Sequence, residues 1–263
     1  MDEFDLFLLD NGNHDYKLYK NYSQHQPTYK NYVNDLFMRY KEFLDKDFAK
    51  QFRENFYQKY SELLILDRIV KIVPYKNIRP KFKKKGSPDF VVDHEGVILN
   101  IEITCPNKPK DINNGYSKND FVYKCINSSI DEKNTKFKGY LKKGILPPES
   151  KNILVISGLE LRNFYTNQGS FAHEVQESII GKQKLYCYPG RTTLEQEYDQ
   201  LYFKKPNGTT IKSGEKELFS NLSSIIYFDM DLLLGVSTRN FNILYRDIEF
   251  ENAIGNYIRG IFN

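Results

Sequence analysis

GSPDFVVDHEGVILNIEITCPNK, residues 86–108, is the stretch from which the fold is read. Phe90-Val91-Val92 is an apolar run. Asp93-His94-Glu95-Gly96 is polar and ends on glycine, and residues 97–103 form a second apolar run with Glu102 near its end. Two such runs joined by a short glycine-containing turn predict a β-hairpin. Asp89, after Pro88, stands at the mouth of the first run. On adjacent strands, Asp89 and Glu102 converge at one end of the sheet. A carboxylate inside an apolar strand is costly to bury without compensation, and a divalent cation shared with a second carboxylate is one compensation.

Upstream, Tyr32, Leu36, Phe37, Tyr40, Phe43 and Leu44 recur at helical spacing and predict a helix over 29–49. A second periodic run, from Phe52 through Tyr60, Leu63 and Leu64, extends to residue 72 and is stopped by Pro74. Glu62 lies inside it. Downstream, residues 120–142 read as a helix with Gly144 as its stop. Residues 152–157 are a β-branched run, a central strand. Further strands are expected near 185–188, 201–204, 209–212, 223–228, 232–236 and 241–245, and helices at 171–180 and 253–262. The order helix, hairpin, helix, strand predicts an α/β fold with a mixed central sheet of about four or five strands flanked by helices, and additional C-terminal strands. Residues 1–28 read as an N-terminal arm. Residues 29–263 read as one domain, with a core over about 40–158 and a C-terminal elaboration over 159–263.

Pro88-Asp89 followed by Glu102-Ile103-Thr104 resembles the PD-(D/E)xK signature of the restriction-endonuclease-like nuclease superfamily. The flanking segments agree with it. FYQKYSELL, residues 56–64, resembles the family's first core helix, whose glutamate often completes the acidic cluster; here that is Glu62. Residues 128–133 and the strand that follows resemble the helix and strand after the signature. The resemblance covers about residues 40–158. It implies a metal-dependent endonuclease that hydrolyses phosphodiester bonds in DNA. Asp89 and Glu102 would hold the metal, with the main-chain oxygen of Ile103 completing the set and Glu62 joining through water or at a second metal. Oxygen donors without sulfur or imidazole favour Mg²⁺, with Mn²⁺ as substitute.

Thr104 occupies the position of the family's usual lysine, on the same strand parity as Glu102. Threonine carries no cation to orient water or offset developing charge. Some branches of the family place that lysine on the later helix, which makes Lys133 the substitute. Lys136, one turn on, shares its face, and Lys108 follows the strand closely. The remaining option is a centre without turnover. Each residue also has a plain structural reading: Asp89 shaping a turn, Glu102 at a sheet edge, and Glu62 and Lys133 in solvated helix contacts.

Before the hairpin, residues 71–85 are dense in positive charge, with Lys81, Lys83, Lys84 and Lys85 closest to Asp89. They are either a solvated connector or a phosphate-facing segment that, with Lys108 and Lys136, would hold a nucleic-acid backbone. The formal net charge of the chain is only +4, so local clustering rather than a global field carries this expectation. DNA is the leading partner. RNA cleavage at the same centre, and a nucleic-acid-binding or interaction module without turnover, are the alternatives.

Hydrophobic residues at 40% and charged residues at 27% leave enough apolar material for a core. No apolar run has transmembrane length, and the opening MDEFDLFLLD is unlike a signal peptide. Cys105, Cys125 and Cys187 form no CxxC pair, which points away from a disulfide framework or a zinc site and toward the cytoplasm. Oligomeric state stays open, a homodimer included.

Overall fold

The computed structural model describes residues 5–7, 27–79, 87–106, 118–162, 182–186, 195–199, 202–204, 210–212, 221–230 and 239–246, with the single residues Ser178, Gly190 and Ile261. The helix expected at 171–180, the strand at 232–236 and the helix at 253–262 fall outside these residues, apart from Ser178 and Ile261.

Helix α1 (Pro27–Tyr40) ends in a 3₁₀ turn, Lys41–Phe43, and Leu44 then leaves in an extended conformation (φ −103°, ψ 163°). The single helix expected over 29–49 is therefore broken. The polar segment Asp45-Lys46-Asp47 separates it from α2 (Phe48–Glu54), and Asn55 (φ −133°, ψ 60°) separates α2 from α3 (Phe56–Ile72). Apolar periodicity ran through both breaks because Phe43, Phe48, Phe52 and Phe56 all enter one core. Helix α3 is buried on nearly every side, from Lys59 to Asp67 without interruption, as a helix enclosed by other elements must be. It packs against α1, α2 and the sheet. Val73 and Pro74 end it.

The main sheet has six strands in the order β1 (Ile78–Arg79), β2 (Phe90–His94), β3 (Val97–Thr104), β4 (Lys151–Ser157), β9 (Ser224–Met230), β10 (Arg239–Arg246). The pairs β1–β2, β2–β3 and β9–β10 are antiparallel, whereas β3–β4 and β4–β9 are parallel. The sheet exceeds the expected strand number because the short β1 adds an edge beside Val91 and Val92. Helix α4 (Lys118–Lys142) makes the crossover between the parallel strands β3 and β4. After β4, Gly158 leads into a short helix, α5 (Leu159–Arg162). β5 (Lys182–Tyr186) pairs with β6 (Glu195–Asp199), and β7 (Tyr202–Lys204) with β8 (Thr210–Lys212), as two separate ribbons. The strand β6 has too little apolar character to be read from sequence.

Strand alternation sorts the side chains into two cores. Leu99, Ile101, Ile103, Ile153, Val155, Ile226 and Phe228 face α1–α3. Leu154, Ile156, Ile225 and Tyr227 face α4, against Ile126, Ile130, Phe137 and Tyr140. The same parity puts Asn100, Glu102 and Thr104 on the α4 side. Leu6 and Phe7 are also buried in the first core, Phe7 edge-on to Phe52 at 5.4 Å. The Leu6 N–H donates to Asn34 Oδ1 at 3.0 Å, and Lys30 pairs with Asp5. This part of the expected N-terminal arm is thus core material.

The hairpin turn is Glu95-Gly96, with φ of +52° and +86°. Positive φ at both central residues is the signature of the tight turn whose twist matches the flanking strands. At the end of β4, a Cβ on Gly158 would lie 2.3 Å from the Tyr227 hydroxyl oxygen. Tyr227 is fully buried. Gly158→Ala is expected to destabilise the protein by about 1–3 kcal/mol, measured by urea unfolding. Adding Tyr227→Phe, which removes the offending hydroxyl, should restore part of that loss.

Candidate functional site

β2 begins at Phe90, opposite Ile101, while β3 runs on to Thr104. The far end of β3 therefore outlasts its partner, and its backbone groups on that edge need substitutes. Asp89 supplies one: its Oδ2 accepts the Ile103 N–H at 2.8 Å. Gln58, on α3, supplies two. Its Nε2 donates to the Ile103 carbonyl at 3.0 Å, and its Oε1 accepts the Cys105 N–H at 2.8 Å. Polar side chains thus continue the ladder where the strand stops.

Asp89 precedes Phe90 in the register, so it stands beside Glu102 at this end of the sheet. The predicted convergence of the two residues is present. Glu102 is fully buried. Its carboxylate meets three side chains of α4 spaced along one face. Lys133 Nζ lies 3.1 Å from Oε2, Lys136 Nζ lies 2.8 Å from both oxygens, and the Tyr140 hydroxyl donates to Oε1 at 3.2 Å. Tyr140 also reaches the Ser87 carbonyl at 3.3 Å, tying the approach to β2 to the same group.

The electrostatics are those of crowded negative charge. Burial pushes the Glu102 carboxyl above its usual range, and the neighbouring charge of Asp89 pushes it further, against the pull of Lys133 and Lys136. Burial, then the charge of Glu102, raises the Tyr140 phenol as well, so it remains a hydrogen-bond donor. Lys133 is the more enclosed cation, 14% exposed against 35% for Lys136.

Glu62 reaches this end of β3 from a different element. It rises from α3, on the opposite face of the sheet from α4. Lys59 Nζ bonds both its oxygens, at 2.9 and 2.8 Å, and Gln58 Nε2 donates to Oε1 at 3.1 Å. Its link to β3 runs through Gln58, which holds Glu62 and the Ile103 carbonyl with one amide. Among the described residues, no group of three or more His, Cys, Asp or Glu side chains is placed to hold a metal ion. Lys81, Lys83, Lys84, Lys85 and Lys108 lie outside the described residues. Lys136, expected at the nucleic-acid backbone, is engaged with Glu102. Thr104 is buried. Burial raises the Cys105 thiol to about 12, which leaves it protonated and unreactive.

Gln58 and Tyr140 were not picked out from the sequence. Their signals were faint: Gln58 is four residues before Glu62, and Tyr140 is seven after Lys133, each on the face already under suspicion. Comparison of the chain with protein-family models, with curated proteins and with solved structures returned no match.

The donor set suits an oxygen-seeking divalent cation. Asp89 and Glu102 are hard carboxylate donors, and burial, then the Asp89 charge, holds the Glu102 carboxyl above its usual range. The three groups such an ion would use are already engaged, Glu102 by the lysines, Asp89 by the Ile103 N–H and the Ile103 carbonyl by Gln58.

Proposed function

We propose that this chain is a metal-dependent nuclease of the restriction-endonuclease-like kind, acting on DNA through Asp89 and Glu102. The observation that carries the reading is the fully buried Glu102 beside Asp89, faced by two lysines from the crossover helix. Asp89 and Glu102 would hold Mg²⁺ or Mn²⁺, with the Ile103 carbonyl as a third oxygen. The bound ion would supply Lewis-acid charge for the phosphate and lower the pKa of water. Lys133 and Lys136 place fixed positive charge where a phosphate would develop negative charge, the role that Thr104 cannot fill. Tyr140 orients Glu102, and Gln58 and Asp89 hold the end of β3. Among the described residues no helix is long and apolar enough to cross a membrane.

A second reading has its own support. Both Glu102 oxygens are bonded within the protein, and Glu62 is held by Lys59 and Gln58. A chain so neutralised internally suits a nucleic-acid-binding or interaction module without turnover. Incubation of the full chain with labelled single- and double-stranded DNA and RNA, with and without Mn²⁺, separates the readings. Mn²⁺-dependent cleavage of DNA is the expected result. Cleavage of RNA alone would move the substrate, and salt-sensitive binding without cleavage would favour the module.

A further inference from the structure

We infer that Gln58 is a positioning residue for the metal-dependent reaction, setting where the Ile103 carbonyl and the end of β3 lie relative to Asp89 and Glu102. This rests on the nuclease reading above. The ladder of β3 loses its partner strand beyond Phe90, opposite Ile101. From there, Asp89 holds the Ile103 N–H, and Gln58 holds both the Ile103 carbonyl and the Cys105 N–H. Ile103 is thus gripped on both its backbone groups, by one carboxylate and one amide. The orientation of the amide is determined by its partners, since exchanging its oxygen and nitrogen would set donor against donor at Cys105.

The same Nε2 also donates to Glu62 Oε1, which Lys59 grips from its other side. Gln58 therefore couples the helix glutamate to the backbone of the strand that carries Glu102. An amide suits this task where a charged group would not. It donates and accepts at once, and it adds no charge beside an already crowded pair of carboxylates. A ligand held by fixed outer partners keeps its place through the reaction, and loss of such a partner costs metal affinity and rate without touching substrate.

The test compares wild type, Gln58→Met and Gln58→Glu as full chains. Methionine keeps the length and removes both hydrogen-bonding functions. Glutamate keeps an acceptor for the Cys105 N–H and turns the donor to Ile103 and Glu62 into a carboxylate oxygen facing two acceptors. In Mn²⁺-dependent DNA cleavage, Gln58→Met is expected to raise the half-saturating Mn²⁺ concentration by about 10-fold, and both variants to lower kcat at saturating Mn²⁺ by about 10- to 100-fold, on the order seen for outer partners of metal ligands. KM for DNA should stay within about twofold, because Gln58 is placed to act on the ligands and not on the substrate. A merely structural role would reduce the folded fraction, scaling kcat while leaving the Mn²⁺ midpoint in place.

A second readout needs no metal. Hydrogen exchange at the Cys105 amide should quicken by at least about 10-fold in Gln58→Met and change far less in Gln58→Glu. An unchanged Mn²⁺ midpoint and kcat in the folded variants, with wild type active, overturns the role of Gln58 alone. Unchanged exchange at Cys105 in Gln58→Met overturns it too. A wild type that shows no Mn²⁺-dependent cleavage overturns the nuclease reading, and the role of Gln58 falls with it.

Discussion

Glu102→Gln is expected to lower Mn²⁺-dependent cleavage by about 10³-fold or more, since it removes a negative charge that would hold the metal, while the melting temperature without metal holds or rises. The two halves have different causes. Glutamine keeps the shape and one of the two acceptor oxygens that Lys133, Lys136 and Tyr140 share, yet it offers a divalent cation no negative charge. Stability follows from the sign of the shift at Glu102. Its carboxyl in the folded protein sits above the ordinary 4.5, because burial and the Asp89 charge outweigh the lysines. The folded state therefore binds that proton more tightly than the unfolded chain does. Above pH 4.5 the ionised group works against folding, increasingly up to the folded-state pKa, and below 4.5 the effect is gone. Glutamine removes the penalty, so its advantage should appear at neutral pH and vanish in acid. Calorimetric melting at both pH values checks this. A melting temperature that falls at neutral pH would mean that the two lysine contacts outweigh burial and the Asp89 charge.

Much of the fold was legible because its signals are local. The apolar runs on either side of Glu95-Gly96 specified the hairpin, and the β-branched run Ile153 to Ile156 specified a central strand. Phe121 to Leu141 carried the crossover helix. The helix breaks at Leu44 and Asn55 were not legible, because the aromatic spacing continues across them into one core. The convergence of Asp89 and Glu102 followed from the hairpin alone. What α4 does to Glu102 required the crossover geometry, which places Lys133, Lys136 and Tyr140 on the same face of the sheet as Glu102. Glu62 was assigned to the acidic cluster by resemblance, through water or at a second metal; in the structure Lys59 and Gln58 hold it, and Gln58 links it to the Ile103 carbonyl. Helix α3 covers the face lined by Leu99, Ile101 and Ile103, and Glu102 points to the other. Gln58 was invisible for a related reason: its partners are backbone groups of β3, and no side-chain pattern announces a strand that outlasts its neighbour.

Lys133→Met is expected to slow the chemical step by about 10²-fold while leaving metal binding intact or tighter. Lys133 Nζ and a divalent cation compete for the same Glu102 oxygen, so removing the lysine relieves the competition. Lys136, 2.8 Å from both oxygens, remains to keep the buried carboxylate ionised. The rate loss follows from burial: a cation that is 14% exposed acts through a poorly screened path, whereas Lys136 at 35% is more open to solvent. Lys136→Met should therefore cost less in the single-turnover rate constant and more in the salt-dependent affinity for DNA. The double variant should lose metal binding as well, because burial and the Asp89 charge would then raise the Glu102 carboxyl with neither lysine to oppose them. Mn²⁺ titration calorimetry beside single-turnover cleavage reads each of these effects. Full activity in Lys133→Met with a large loss in Lys136→Met would exchange the two roles, and full activity in both would remove α4 from the chemistry altogether.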